Sequence, residues 1–370
     1  MVTPDQVLKT LEGVNDPELG GNVVELGMIT DVRVHDGRVE IGLALTVAEC
    51  PLRTQIENDT RRRVESMPAV EEVVIHTTAM TKRQRAELMS VARRKAREDA
   101  EPTRVASTTR VVAIGSGKGG VGKSSMSVNL AAGLAQRDFR VGLLDADIWG
   151  FSIPRMLGVE GRLMADAESK LIQPVEVSGV KVVSTGLIIE SEETALMWRG
   201  LMLSKALEQF LKQVEWGELD YLVIDMPPGT GDVPMALARM LPQAEMLVVT
   251  TPQRAAQKVA VRVADLARRS HMPVAGVIEN MTGDVFGKGG GEELAEEIGA
   301  PFLGSVPLDP AMVEGSDAGR PVILDPDSGP AATALASVVE TLAQAIPPAN
   351  LETCTGRIAK LIADLEDGVA

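Results

Sequence analysis

Five short apolar runs occur between residues 111 and 281, separated by stretches of helical composition. The runs are rich in Val, Ile and Leu and lack the polar alternation of a strand with one exposed face. Such runs are typical of strands buried on both faces of a parallel sheet, which needs crossover helices on each face. The sequence therefore predicts a doubly wound, mostly parallel α/β domain. The runs are VVAIGS (111–116), RVGLLDAD (140–147), LDYLVIDMPP (219–228), AEMLVVTTP (244–252) and PVAGVIENM (273–281).

A glycine-rich loop, GKGGVGKS (117–124), joins the first run to the helical stretch SMSVNLAAGLAQR (125–137). Its spacing fits the phosphate-binding pattern G-x-x-x-x-G-K-[ST] in the strand-to-helix context that this pattern requires. Loop amides are expected to surround phosphate oxygens, Lys123 to contact the terminal phosphates, and Ser124 to offer its hydroxyl to Mg²⁺. The sequence thus predicts a site for ATP and Mg²⁺. The predicted nucleotide-binding residues of the loop are Gly117, Lys118, Gly119, Gly120, Val121, Gly122, Lys123, Ser124 and Ser125.

The phosphate loop contains a second lysine, Lys118, which the general pattern does not require. A second lysine at this place resembles the deviant Walker A class of phosphate loops. That resemblance implies that Lys118 crosses a dimer interface and stabilises the transferring phosphoryl group of the partner's nucleotide, as an arginine finger does. The alternative is an exposed lysine on a polar loop.

Acidic and amide side chains follow the later strands. Asp145 and Asp147 end the second run, where carboxylates hold Mg²⁺ or orient the attacking water. Asp225 ends the third run and is expected to hold Mg²⁺ together with the loop serine. Asp147, or Asp145, is expected to orient water. Gly229 is expected to offer its amide to the γ-phosphate, and Asn280 to read an adenine edge.

Residues 1–86 have the pattern of a separate small α+β domain. The sequence TPDQ (3–6) forms a capping box with proline at the first helical position. Alternating apolar residues flank an Asp-Gly turn in VRVHDGRVEIGLAL (32–45), which predicts a hairpin. A helix is expected to follow, and VEEVVIH (70–76) to form a third strand.

The rest of the chain divides into three further segments. Residues 87–109 are interpreted as a basic helix and an exposed linker, whose charges form a solvated face rather than a nucleic-acid contact. Residues 110–348 form the predicted α/β domain. Residues 349–370 carry apolar side chains at helical spacing and are expected to form a terminal helix.

Composition limits the classes of partner. The net charge of -15 argues against bulk attraction to nucleic acid or anionic lipid, and an aromatic share of 2% leaves little for stacking on bases. The chain starts without the pattern of a signal peptide and contains no apolar run long enough for a membrane span. These features favour a cytoplasmic protein without nucleic-acid or membrane partners. The three histidines are scattered without the spacing of metal ligands.

In combination and order, the motifs resemble the Mrp/ApbC family of iron-sulfur cluster carrier ATPases, which are relatives of MinD, ParA and the nitrogenase iron protein. The resemblance implies a homodimer that hydrolyses ATP slowly and delivers clusters to apoproteins or works with other assembly factors. The phrases MWRG and DMPPGTGDV separate this family from MinD and ParA. The matching phrases are SGKGGVGKSS (116–125), DADIWGFSIPRMLG (145–158), MWRGLM (197–202), DMPPGTGDV (225–233), TTPQ (250–253), ENM (279–281), FGKGGG (286–291) and GSVPLDP (304–310).

The cluster site departs from the family pattern. The family usually carries a C-x-x-C pair between ENM and FG, whose four thiolates in the dimer hold a bridging [4Fe-4S] cluster. Here that interval is TGDV (282–285), and the only cysteines are Cys50 and Cys354. Through DPELGGNVVELGMI (16–29) and LTVAECPLRTQI (45–56), residues 1–86 also resemble the small domain of iron-sulfur assembly factors. In that domain the cysteine of a Cys-Pro pair is the candidate reactive thiol. That position is Cys50, with a buried, inert cysteine as the alternative.

Three hypotheses remain open for the cargo. Cluster binding involves Cys50, it involves Cys354, or the chain keeps the ATPase as an assembly scaffold without a cluster. A rival from another class is a MinD- or ParA-like positioning switch that binds a membrane or DNA. The acidic composition, the N-terminal domain and MWRG argue against that rival. A metabolic kinase is the second rival, but the sequence shows no site for an acceptor substrate.

Overall fold

The computed structural model describes residues 2–16, 21–46, 53–81, 83–88, 90–91, 102–148, 150–188, 200–229 and 231–348. The chain divides into two compact units, Met1–Ala100 and Glu101–Ala370. Cys50, Cys354, the predicted terminal helix and much of the predicted basic helix lie outside the described residues. The predicted boundaries of the four segments, 1–86, 87–109, 110–348 and 349–370, stay predictions.

The described residues of the first unit form a three-stranded sheet, the helices α1 and α2, and a further helical stretch at 83–88. Strands β1 and β2 are antiparallel, while β2 and β3 are parallel, and β2 lies in the centre. The helix α1 begins at the predicted capping box, in which Thr3 and Gln6 each bond the other's backbone amide. The elements are α1 (Pro4–Leu11), β1 (Ile29–His35), β2 (Arg38–Leu45), α2 (Arg53–Glu65) and β3 (Glu72–Ala79).

The predicted hairpin is confirmed, and its turn explains the register. Asp36 and Gly37 both have positive φ, 42° and 82°, as a two-residue turn compatible with strand twist requires. His35 therefore pairs with Arg38, and the apolar side chains of β2 point into the core of this unit. The predicted third strand is also confirmed as β3.

The second unit contains an eight-stranded sheet in the order β13-β12-β11-β4-β10-β5-β9-β8. All neighbouring pairs are parallel except β8 with β9. The five apolar runs form β4, β5, β10, β11 and β12, as predicted. The strands of this sheet are β4 (Arg110–Ser116), β5 (Val141–Asp145), β8 (Val175–Val177), β9 (Val180–Ser184), β10 (Tyr221–Asp225), β11 (Glu245–Thr250), β12 (Val274–Thr282) and β13 (Phe302–Pro307). Two further short strands, β6 (Met164–Ala165) and β7 (Ile172–Gln173), form a separate two-stranded sheet.

Helices cover both faces of this sheet. One hydrophobic core packs α3 and α10 against one face, and a second core packs α5, α6, α7 and α8 against the other. Within the described ranges, no helix is long and apolar enough to cross a membrane. The helices are α3 (Lys123–Ala135), α4 (Ile153–Met156), α5 (Gly200–Gln213), α6 (Asp232–Met240), α7 (Arg254–Arg269), α8 (Gly290–Ile298), α9 (Pro310–Asp317) and α10 (Pro330–Ala345).

The end of the predicted exposed linker belongs to the second unit instead. Val105 and Thr109 are buried, and the Thr109 hydroxyl donates to the carbonyl of Leu219 at 3.0 Å. These two side chains anchor the stretch ahead of β4, whereas Pro102, Arg104 and residues 106–108 are exposed. The interpretation of residues 87–109 as a basic helix and an exposed linker stays a prediction.

Candidate nucleotide-binding site

The phosphate loop connects the end of β4 to the start of α3. Gly120 and Gly122 have φ values of 78° and 81°, in the left-handed region that favours glycine. A Cβ on Gly117 would lie 2.5 Å from the carbonyl carbon of Val259 in α7, so any larger residue would clash with backbone. These three glycines therefore serve the shape of the loop, while α3 directs its N-terminal amides towards it.

Lys123 and Asp225 form the centre of the site. The Lys123 Nζ lies 2.8 Å from the Asp225 Oδ1, and both side chains are buried. The Ser124 hydroxyl donates to the Asp225 Oδ2 at 2.6 Å, and the Ser127 hydroxyl donates to its Oδ1 at 2.7 Å. The structure thus joins the lysine and serine of the phosphate loop to the carboxylate at the end of β10, where the sequence predicted them.

The two aspartates after β5 occupy different surroundings. The Asp147 Oδ2 lies 3.8 Å from the Lys123 Nζ, and its side chain keeps 14% of its exposure. Asp145 is fully buried and accepts hydrogen bonds from the Ser184 hydroxyl at 3.0 Å and from the Asp147 amide at 3.2 Å. Asp147 therefore contacts Lys123 and retains access to solvent. Asp145 has no access to solvent, and by accepting the amide of Asp147 it holds the backbone that follows β5.

The pKa values of Asp145 and Asp147 are both raised above the ordinary value of an aspartate. Burial, followed by the nearby charge of Asp225, raises the pKa of Asp145 to about 8. Burial also raises the pKa of Asp147, and the charge of Lys123 opposes that rise. Since Lys123 is one cation beside two acidic side chains, Asp147 and Asp225, the site has excess acidic groups even with Asp145 protonated, and a divalent cation would offset their charge.

Three other predicted residues lie around this centre. Gly229 has φ 91°, and its amide donates to the carbonyl of Ser116 at 3.0 Å. The Asn280 side chain is buried and donates to the carbonyl of Val121 at 2.9 Å. Lys118 is exposed and makes no ion pair with any described residue. The predicted contacts of these three residues with nucleotide stay predictions. Through its bond to Val121, the Asn280 side chain also stabilises the phosphate loop.

Sequence reasoning missed two hydroxyls of the site. Ser127 lies one helical turn after Lys123, on the face that α3 turns towards Asp225. Ser184 ends β9, which pairs with β5 so that Ser184 is opposite Asp145. The spacing in the phosphate-loop helix contained a signal for Ser127, but Ser184 depends on a strand pairing that the sequence does not indicate.

The donor set suits a magnesium ion. Ser124 and Asp225 present a hydroxyl and a carboxylate oxygen within 2.6 Å of each other, and Mg²⁺ prefers such hard oxygen ligands alongside phosphates. No group of three or more His, Cys, Asp or Glu side chains within the described ranges could hold a metal ion on its own. Both cysteines lie outside those ranges, so the structure assigns no iron-ligand geometry to them.

Comparison with known proteins identifies the family of this chain. Residues 107–343 match the ParA family model, described as the NUBPL iron-transfer P-loop NTPase. The chain belongs to this family. Residues 4–75 match the family model of an iron-sulfur cluster assembly protein. The matched range of the family model includes the loop from Gly117 to Ser124.

Two relatives match over nearly their whole length. The iron-sulfur cluster carrier protein of Mycobacterium leprae is 41% identical over 353 residues, which covers 91% of each chain. The iron-sulfur cluster carrier protein of Synechocystis is 40% identical over 365 residues, covering 95% of this chain and 100% of the relative. The resemblance to cluster carrier proteins is therefore confirmed across both units.

Solved structures support the fold of the second unit. A nucleotide-binding protein from Archaeoglobus fulgidus in complex with ADP is 32% identical, with a TM-score of 0.52 over 64% of this chain and 95% of the other. The cell division ATPase MinD of Pyrococcus furiosus has a TM-score of 0.52 at 23% identity, over 64% of this chain and 98% of the other. The MinD likeness shows a shared fold alone.

Proposed function

We propose that this protein binds and slowly hydrolyses ATP as a homodimer and carries iron-sulfur clusters to apoproteins. The observation that carries this proposal is the contact network in which Lys123 and Ser124 bond Asp225 while Asp147 contacts Lys123. The membership of the chain in the iron-transfer family supports the cargo.

Binding of the triphosphate uses the loop and its lysine. The loop amides and Lys123 offset phosphate charge, since oriented amides at a helix N-terminus and an ammonium group both attract anions. Ser124 and Asp225 would hold Mg²⁺, which when bound neutralises charge on the phosphates and orients them. Lys123 exchanges part of its pairing with Asp225 for phosphate oxygens.

Orientation of the attacking water falls to Asp147. It retains access to solvent beside Lys123, and as a carboxylate it accepts a hydrogen bond from water. Asp145 is a poor candidate for this step because it is fully buried and its pKa of about 8 keeps it protonated at neutral pH. Asp145 is instead a positioning residue for the turn that carries Asp147.

Lys118 acts on the nucleotide of the partner. It is exposed on the phosphate loop and makes no ion pair with a described residue, so it is available to a second chain. A cation supplied by a neighbouring chain stabilises charge on the transferring phosphoryl group without competing for the same protomer's loop.

The iron-sulfur cluster is the cargo of this protein in our proposal, and the next question is which residues bind it. The family's C-x-x-C pair is absent from residues 282–285. In the sequence, Cys50 stands three positions before Arg53, the first residue of α2, and it is the cysteine of the Cys-Pro pair that the resemblance to iron-sulfur assembly domains marks as reactive. We therefore propose Cys50 as the ligand of this chain, with further thiolates from a second copy or from the client.

The test is anaerobic reconstitution with iron and sulfide. Visible absorption and iron per dimer are measured for the wild type, for Cys50→Ser and for the matched variant Cys354→Ser. We expect a cluster in the wild type and in Cys354→Ser, and its loss in Cys50→Ser. The reverse pattern would assign the cluster to Cys354. No cluster in the wild type, with ATP hydrolysis intact, would leave an assembly ATPase without this cargo.

A further inference from the structure

Two neighbouring helices on one face of the large sheet carry opposite, unpaired charges. Along α7, Arg254, Lys258 and Arg262 recur every four residues and are exposed. The exposed side of α8 is entirely acidic at the same spacing. Among the described residues, none of these side chains has an ion-pair partner. The acidic stripe consists of Glu292, Glu293, Glu296 and Glu297.

The two helices lie side by side and run in the same direction. At their N-terminal ends, a Cβ on Gly290 would lie 2.1 Å from the side chain of Gln257. At their C-terminal ends, Arg268 donates to the carbonyl of Ile298. Since both helices cross over between adjacent parallel strands, the basic and acidic stripes form two parallel bands on one surface. We call this surface the charged face.

The arrangement is self-complementary under two-fold symmetry. A two-fold axis that lies between the helices and parallel to them places the basic stripe of one copy against the acidic stripe of the other, twice. This rotation leaves the direction of each helix unchanged, and each residue keeps its position along the axis. Four residues of helix rise about 6 Å, so that successive cations and successive carboxylates keep the same step.

The charged face favours a partner that presents both acidic and basic groups over a partner of a single charge. A polyanion such as nucleic acid or an anionic membrane would meet the glutamates of α8 beside the cations of α7, and like charges would repel it. A uniformly acidic protein would meet the same obstacle. A second copy presents both signs in the required order, although the net charge of -15 on each chain opposes any close approach.

We propose that the charged face is a docking surface for a second copy of this chain, separate from the phosphate loop and independent of nucleotide. Exposed ion pairs are individually weak and are screened by salt. The association is therefore weak, reversible and strongly dependent on ionic strength.

Analytical ultracentrifugation of the full chain without nucleotide tests the proposal. Raising the salt concentration from about 50 mM to about 500 mM should increase the dissociation constant by at least about tenfold. A chain that is monomeric at both concentrations, or a dimer that is insensitive to salt, would overturn the proposal. The Lys118→Ala variant should associate like the wild type, which separates this contact from a nucleotide-dependent dimer.

Charge reversal gives a sharper version of the test. A variant with an acidic α7 and a variant with a basic α8 should each stay monomeric, because each presents a single sign to its own copy. Mixed together they should form a heterodimer tighter than the wild-type dimer. Self-association of either variant at wild-type strength refutes the proposal. The variants are Arg254→Glu/Lys258→Glu/Arg262→Glu and Glu292→Lys/Glu293→Lys/Glu296→Lys/Glu297→Lys.

Folding of both variants is checked by circular dichroism before the mixing experiment. If the larger set of changes disturbs α8, the smaller pair of variants carries the same test, since it still reverses the facing charges. A mixture of the smaller variants that stays monomeric would equally contradict the proposal. The smaller variants are Lys258→Glu/Arg262→Glu and Glu293→Lys/Glu297→Lys.

Discussion

Replacing Asp145 by asparagine should change how the stability of the second unit depends on pH. Asp145 is fully buried, and its pKa is raised to about 8 from an ordinary value near 3.8. An acid with a raised pKa in the folded state contributes most to stability below its unfolded pKa. That contribution is lost as the pH rises towards the folded pKa and is constant above it.

The size of the effect follows from the two pKa values. Between pH 5 and pH 9 the buried carboxyl costs about 4 kcal/mol of unfolding free energy, with a slope near 1.4 kcal/mol per pH unit until pH 8. Because the titration of Asp145 is coupled to its charged neighbours, we expect a measured difference of about 2–4 kcal/mol. The Asp145→Asn variant would carry no such dependence, because an amide does not titrate in this range.

The assay is urea unfolding at pH 5, 7 and 9 without nucleotide or magnesium, followed by tryptophan fluorescence. All three tryptophans lie after residue 101 and therefore report on the second unit. The Asp145→Asn variant also loses an acceptor for Ser184 or for the Asp147 amide, but that cost is the same at every pH. The difference between wild type and variant should therefore grow with pH in favour of the variant.

A control variant distinguishes the effect of burying Asp145 from the effect of merely removing one negative charge. Asp284→Asn removes one exposed carboxylate and should leave the slope with pH as in the wild type. If Asp145→Asn and wild type gave parallel stability curves from pH 5 to pH 9, the account of Asp145 as a buried group, protonated at neutral pH, would be refuted.

Three further predictions follow from individual contacts. Thr109→Val should destabilise the second unit by about 1–2 kcal/mol, since it removes a buried hydrogen bond. In the same urea assay Thr185→Val should be neutral or stabilising, because the buried Thr185 hydroxyl has no hydrogen-bond partner among the described residues. Lys118→Ala and Asp147→Asn should each lose ATP hydrolysis, and their mixture should recover about a quarter of the wild-type rate if Lys118 acts across the dimer; no recovery would place Lys118 in its own site. Asn280→Ala should weaken nucleotide binding by about tenfold in isothermal titration calorimetry, because the Val121 carbonyl loses its donor, and unchanged affinity would count against this role.

The sequence was sufficient for the framework of the site because its signals are local. Strand β4, the glycine loop and α3 follow one another in the chain, and the carboxylate of Asp225 ends an unmistakable buried run. Parallel strands then bring Asp225 beside Asp145 in register. The α/β fold and the hairpin of the first unit were predictable for the same reason.

Other features depend on neighbours that the sequence does not pair. Asp145 and Asp147 are equivalent in the motif and differ only in burial, which Ser184 and the strand β9 determine. Strands β9 and β13 were missed because their short runs contain polar residues or glycine, VKVVS and FLGSVP. The contact of Asn280 with Val121 joins residues far apart in the chain and needs the tertiary fold.

The central claim is that the network around Asp225 is an ATP-hydrolysing site. The most direct measurement compares magnesium-ATP affinity and steady-state phosphate release for the wild type and Asp147→Asn. We expect similar affinities and a loss of hydrolysis of at least about a hundredfold in the variant. No binding of ATP by the wild type, or equal rates of phosphate release, would contradict the account.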